Sequence, residues 1–451
     1  MGKKQTKALK FLCLTVLVLF GAPKINFKIG PLPLYLIDLL IFLTVYHAKS
    51  LPKLTYRLPH KKLVVFIFFM ILINEFLNGL LIGTLLQPIY LMTRMSLAVC
   101  LFFLVPRIIR SPKDLMKILR FGLLGALITA LLLIFSSLPM TRGISVVLLS
   151  NPILTPNANY LSTGILAAGS SAIRGSSLVG VSILSGAFLN VIWPLLFLFL
   201  NFYKPKGIFK YVLYFTIASI PVGIIMTYSR GAILALILVS IGIVIFQKGK
   251  YRSIILGLLV SGFISFSFVG FDSDLFYFDR ITERTTAALE NPYEDERESE
   301  RINAYTEPFK HLSNNPIYLF FGEGFSRTKV KGIDDITDGI NRADHAVLAK
   351  AYYAYGMTTS LSLVFLYLLL MNYTFKQIRI TSNNDLFSSK FTRLLFVLLI
   401  GFSSWFSFGH AAVSNPRGSM LMFFVFGLVA AQRNMYQFEQ QKYLDSRKTK
   451  V

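Results

Sequence analysis

Along this chain, apolar runs of about 16 to 25 residues alternate with short polar segments, and a helix of that length crosses the hydrocarbon of a bilayer. The runs fall at about 8–22, 31–47, 62–83, 88–106, 115–138, 177–201, 208–227, 229–247, 252–271, 344–372, 391–412 and 417–432. The pattern therefore predicts about twelve membrane helices. A first block of nine (1–271) is separated from a last block of three (344–432) by one long polar connection (272–343), and a basic tail (433–451) follows. A second polar stretch, about 139–176, is rich in Ser, Asn, Pro and Gly.

Composition supports this reading. The chain has 451 residues, 54% hydrophobic and 15% charged, with a mean hydropathy of +0.60. A soluble chain would carry about a quarter charged residues. The fold class expected is an all-α polytopic membrane protein. The first run follows Lys3, Lys4, Lys7 and Lys10 and has some features of a signal peptide, but FGAP is a weak cleavage site, which favours a retained helix.

The net charge of +24 invites a nucleic-acid reading until the charges are placed. Lys and Arg resist translocation, so they mark cytoplasmic segments. With the N-terminus inside, most of the 46 basic residues fall in inside segments, from Lys3 through Lys49, Arg107, Lys204, Lys248 and Lys376 to Lys450. Twelve spans with both termini cytoplasmic follow, and the basic balance is topology rather than a nucleic-acid surface. Cys13 and Cys100 lie inside apolar runs and form neither a disulfide framework nor a zinc site.

The long connection holds most of the 22 acidic residues. Loops of this length are functional or disordered. Its helical-looking stretches and the turn FFGEGF predict a folded, partly helical cap on the outer surface. Its carboxylates, in DLFYFDR, YEDERESE and IDDITD, are scattered without ligand spacing and predict no metal site.

Cations on the outer side are few, and several occupy short turns. Arg174 opens RGSSLVG, Arg230 lies in MTYSRGAILAL, Arg417 in SNPRGS, and Arg297 and Arg301 in the long connection. The planar guanidinium fork suits a diphosphate, so this set is expected to bind an anionic headgroup. Snorkelling to the interface is the simpler account of any single one. Glu75 and Arg94 lie at similar depth on either side of a short turn and are expected to form an internal ion pair.

His345 begins the tenth span, beside Asp344. At about 100° per residue it shares a helix face with Gly356, which lies about 16 Å deeper, and a glycine there lets a second helix approach closely. The other histidines, His47, His60, His311 and His410, lack this setting.

Together these features resemble the O-antigen ligase and O-antigen polymerase superfamily of bacterial membrane glycosyltransferases. Arg230-Gly-Ala-Ile-Leu234 resembles that family's Arg-x3-Leu motif, and His345 to Gly356 its His-x10-Gly motif. Arg301-Ile-Asn-Ala-Tyr305, followed by NNP and FFGEGF, resembles its loop segment. Tyr305 stands where Trp is expected, and Arg297, four residues before Arg301, leaves the loop arginine open between the two. The paired Arg-x10-Gly motifs of the polymerases are not found: Ser185 follows Arg174 and Leu312 follows Arg301 at that spacing, a slight lean toward ligase.

The resemblance implies a GT-C-like membrane fold acting at the outer face of the plasma membrane, with no cofactor, metal or nucleotide. It implies an undecaprenyl-diphosphate-linked oligosaccharide as donor and a glycan or a lipid A core as acceptor. Arg230, Arg301 and Arg174, with Arg297 and Arg417, would hold the diphosphate, and His345, assisted by Asp344, would take the acceptor proton. Glu75, Arg94 and Gly356 would be structural. The competing class is a transporter or flippase for lipid-linked glycan. Against it, the halves show no internal repeat and the polar residues gather at one face; a structural polymer-export subunit is a third reading.

Overall fold

The structure is a computed structural model that describes residues 3–21, 25–29, 32–54, 56–83, 85–138, 141, 177–178, 182–203, 205–227, 229–246, 252–253, 255–256, 316–322, 347–381, 386–408 and 416–448. In chain order the elements are α1 (Lys3–Gly21), β1 (Asn26–Ile29), β2 (Leu32–Tyr35), α2 (Leu36–Ala48), α3 (Lys61–Ile82), α4 (Leu86–Ile108) and α5 (Pro112–Ser137). There follow α6 (Ser182–Phe202), α7 (Gly207–Ile225), α8 (Arg230–Phe246), α9 (Pro316–Phe321), α10 (Val347–Thr381), α11 (Phe387–Phe408) and α12 (Pro416–Lys448).

The fold is that of an all-α membrane protein. Among the described residues, α3, α4, α5, α6, α7 and α10 contain stretches long and apolar enough to cross a bilayer, while α2 and α8 are shorter apolar helices. Helices occupy the expected spans except 252–271, most of which lies outside the described residues. The interior of the predicted cap and the segment 142–176 also lie outside them.

One element departs from expectation. The second run does not begin as helix: Leu32–Tyr35 pairs antiparallel with Asn26–Ile29, with Asn26 opposite Tyr35 and Ile29 opposite Leu32. Prolines at 31 and 33 disfavour helix in the residues before them, so the chain turns back as a hairpin and α2 starts only at Leu36. The Asp38 carboxylate then accepts the Tyr35 N–H at 3.1 Å, satisfying a donor that a helix start leaves open.

Packing is centred on α6, whose membrane window is 94% buried. It lies against α5, α7, α8 and α11, while α4 runs along α12 and α1 along α2 and α5. Small residues permit these approaches: Gly21 of α1 and Gly125 of α5 meet backbone to backbone. Around the margin, Phe66, Phe69, Ile73 and Phe76 of α3 and Ile208, Tyr211 and Phe215 of α7 are exposed, the surface a bilayer would cover.

Contacts sort the connections into two ends of the bundle. At the end rich in basic residues, Arg107 donates to the Lys49 carbonyl at 3.2 Å and also to that of Leu51. There Tyr56 donates to the Ala430 carbonyl at 3.0 Å. At the opposite end, Ser137 donates to the Met226 carbonyl at 3.3 Å and Arg417 to that of Leu178 at 3.1 Å. The candidate site belongs to the second end.

Candidate functional site

The sequence TYSRG makes a helix start. Ser229 is the cap: its hydroxyl accepts the Ala232 N–H at 3.4 Å, and its carbonyl accepts the Ile233 N–H at 2.9 Å. A serine in this position satisfies amides that would otherwise lack partners. Thr227 braces the turn by accepting the Ser229 N–H at 3.2 Å and donating to the Ile224 carbonyl at 2.6 Å. From α6, Asn190 donates to the Ala232 carbonyl at 2.9 Å. Arg230 is therefore the first residue of α8, at the positive end of a helix dipole held from two sides. Helix N-termini attract anions.

A second group of charges is enclosed at the same end of the bundle. Arg94 of α4 pairs with Asp38 of α2 at 3.4 Å, donates to the Tyr90 hydroxyl at 2.9 Å, and lies over the Tyr35 ring at 4.3 Å. Arg417, on the first turn of α12, donates to the carbonyls of Leu178 at 3.1 Å and Val18 at 3.4 Å and is close enough to Asp38 to act on its charge. Asp38 is 2% exposed, Arg417 5% and Arg94 9%. Arg94 thus meets its carboxylate in a dry setting, where unlike charges attract far more strongly than in water, and Arg417 is near enough to feel the same charge.

The expected Glu75–Arg94 pair is not the one formed. The two residues are matched in depth, but depth does not set rotation about a helix axis: Arg94 turns toward α2 and takes Asp38, while Glu75 accepts a hydrogen bond from Tyr355 of α10. Arg417, expected at the surface, is instead buried, and it fixes main chain four residues beyond Arg174.

Gly356 interrupts α10 with φ 71° and ψ −178°, a backbone conformation open in practice to glycine alone. Its partner is the end of α9: a Cβ on Gly356 would collide with the backbone of Phe320 and Phe321. The match is reciprocal. Gly322, at φ 73°, could not carry a Cβ without striking the backbone of Ala354 and Gly356. The close approach expected at Gly356 is thus made by the FFG segment of the long connection, which the sequence did not pair with it. Arg174, Arg297, Arg301, Asp344 and His345 lie outside the described residues.

These features are those of a largely α-helical membrane protein with buried arginines at the end opposite its basic one. Residues 212–351 match the family model described as O-antigen ligase. That segment runs from α7 through α8 and the long connection into α10, and the match supports the resemblance to the O-antigen ligase and polymerase superfamily. The match supports O-antigen ligase- or polymerase-type glycan transfer in surface polysaccharide synthesis. No curated protein matches the chain.

Proposed function

We propose that this protein transfers a glycan from an undecaprenyl-diphosphate donor to an acceptor hydroxyl at the outer face of the plasma membrane. The chain would cross twelve times with both termini cytoplasmic, and the end holding Arg230 would face outward. The observation that carries this reading is the family match over 212–351, which includes both Arg230 and His345.

In this mechanism Arg230, at the start of α8, holds the diphosphate together with Arg174 and with Arg301 or Arg297. The positive end of the helix and the guanidiniums stabilise the charge that grows on the leaving phosphate, the role in which preorganised cations contribute most to catalysis. His345 takes the proton of the attacking hydroxyl, its ordinary pKa lying near neutrality, and Asp344 orients the imidazole. One hydroxyl displaces one diphosphate, so the anomeric carbon inverts, with no metal or nucleotide required. Arg417 acts from beneath, holding the chain that follows Arg174.

The test is transfer by purified protein in lipid vesicles, with an undecaprenyl-diphosphate oligosaccharide and neither metal nor nucleotide. A ladder of longer lipid-linked chains identifies a polymerase; transfer only to added lipid A core identifies a ligase. His345→Ala and Arg230→Ala are expected to abolish product while the protein still inserts. No turnover with either acceptor would overturn the reading in favour of a transporter.

A further inference from the structure

Helix α9 lies within what the sequence presents as a water-facing cap, yet its side chains do not suit water. Ile317 is 68% exposed, Phe320 50% and Phe321 46%. Three large apolar side chains on one short exposed helix are unusual on a solvated surface, where patches of this kind mark an interaction site.

Their position along α10 identifies what covers them. The end of α9 is locked to Gly356 backbone to backbone. From Gly356 to Lys376, the next charged residue along α10, is about 30 Å at 1.5 Å per residue, and the hydrocarbon layer is itself about 30 Å thick. With Lys376 at one boundary, Gly356 falls at the other, so the span read from the sequence as 344–372 shifts to about 356–376. Just beyond it stands the partly exposed Tyr352, a residue type that collects where hydrocarbon meets headgroups, while Tyr353 and Tyr355 are buried in the bundle.

The surface is also continuous. Below the break, Met357, Leu361, Phe365 and Leu368 recur at helical spacing and are exposed, making the stripe by which α10 meets lipid. The backbone of Phe320 and Phe321 meets α10 at Gly356, one residue above the start of that stripe.

We infer that α9 is an interfacial membrane helix whose Ile317, Phe320 and Phe321 side chains insert among the acyl chains of the outer leaflet. Apolar faces of this kind sit about 5–10 Å into the headgroup and acyl boundary. The long connection is then moored to the bilayer at the point where it grips α10, and its distance from the membrane surface is fixed from below. The partner is bulk lipid, and the inference stands whichever reaction the protein performs.

The experiment is spin-label accessibility on the full chain in vesicles of phosphatidylcholine and phosphatidylglycerol, without donor. Ile317→Cys is labelled in a background lacking Cys13 and Cys100. Phe365→Cys on α10 serves as the lipid reference and Phe438→Cys on the last turns of α12 as the water reference. The label at 317 is expected to collide with oxygen more often than with a water-soluble nickel chelate, as at Phe365. Nickel-dominated collisions, as at Phe438, would place α9 in water and overturn the inference. Poor access to both reagents would mean that protein covers α9 and would overturn it equally. If the background without cysteines does not fold, Ile317→Trp in the native sequence replaces it, read against the parent. Brominated lipids are then expected to quench the added fluorescence, whereas quenching by acrylamide alone would refute the inference.

Discussion

The two ends of the bundle use charge in different ways. At the basic end, charged and amide groups finish helices one main-chain group at a time. Arg110 donates to the Pro52 carbonyl at 2.7 Å. Asn434 donates to the carbonyls of Pro106 and Ile109 at 2.6 and 2.7 Å, and Glu439 accepts the Phe387 and Ser388 amides that open α11, at 2.8 and 3.2 Å. Many of these groups are partly exposed, and each acts locally. At the opposite end charge meets charge in a dry setting, where Asp38, Arg94 and Arg417 join α2, α4 and α12. Neutrality is incomplete there, and the Gly322–Gly356 crossing brings two positive-φ glycines backbone to backbone. On the proposed mechanism, the costly arrangement falls at the end that would perform chemistry, and the inexpensive, repeated caps fall at the end whose charge would set orientation.

The contrast is broken most forcefully at Asp38. Asp38→Ala leaves Arg94 and Arg417 facing each other without a carboxylate, and loss of one member of a buried ion pair costs about 3–5 kcal/mol. A large drop in the melting temperature of the purified protein is expected, with much less added when Arg94→Ala is combined with it, since the two residues act as a unit. Gly356→Ala ranks next. The backbone conformation alone costs about 1–3 kcal/mol for a residue with a side chain, and the collision with Phe320 adds to it. The expected result is lower thermal stability, together with release of α9 from α10, read as faster proteolysis in the long connection.

Much of this was legible in the residues. Run lengths located the helices, and loop charges separated the two ends. The spacing from His345 to Gly356 marked the place where another backbone would come close. What escaped detection was whatever depends on rotation or on distant pairing. Asp38, a lone acid in LYLIDLL, was visible as an intramembrane carboxylate of the kind that has a partner, but nothing local said that Arg94 would choose it over Glu75. The Gly322–Gly356 crossing joins segments that only the tertiary fold brings together. The hairpin at Asn26–Tyr35 was merged into an apolar run because Leu32 and Leu34 read equally well as helix or strand. Arg297, Arg301, Asp344 and His345 rest on the sequence and the family match over 212–351, and Arg174 rests on the sequence alone.

Smaller effects sharpen the comparison. Ser229→Ala removes the cap of α8 at a cost of about 1 kcal/mol, and it loosens the turn that presents Arg230. If that turn serves the donor, the Michaelis constant for the lipid-linked substrate should rise while the melting temperature moves little. At the basic end, Arg110→Ala should cost under about 1 kcal/mol, because the Pro52 carbonyl it leaves can be reached by water. Transfer activity should be unchanged. Equal losses of activity from these two substitutions would erase the distinction between the ends.

The smallest expected effect concerns pH and lies at the basic end. His60 precedes α3 with φ 53°, and burial pushes its pKa below the ordinary 6.5, while a hydrogen bond with the Leu369 backbone works in the opposite direction. The folded state thus resists protonating His60 more than the unfolded chain does. Above 6.5 the imidazole is neutral in both states and this site leaves stability unaffected; as pH falls below that value, the unfolded state gains the proton first and stability declines. His60→Asn keeps a residue that tolerates positive φ and removes the titration. Melting temperatures measured from about pH 8 to about pH 5 should therefore fall slightly less steeply in His60→Asn than in the parent. A steeper fall in the variant would mean that the charged imidazole is favoured in the fold, and the basic end would then hold a charge-dependent contact of the kind otherwise found at the opposite end.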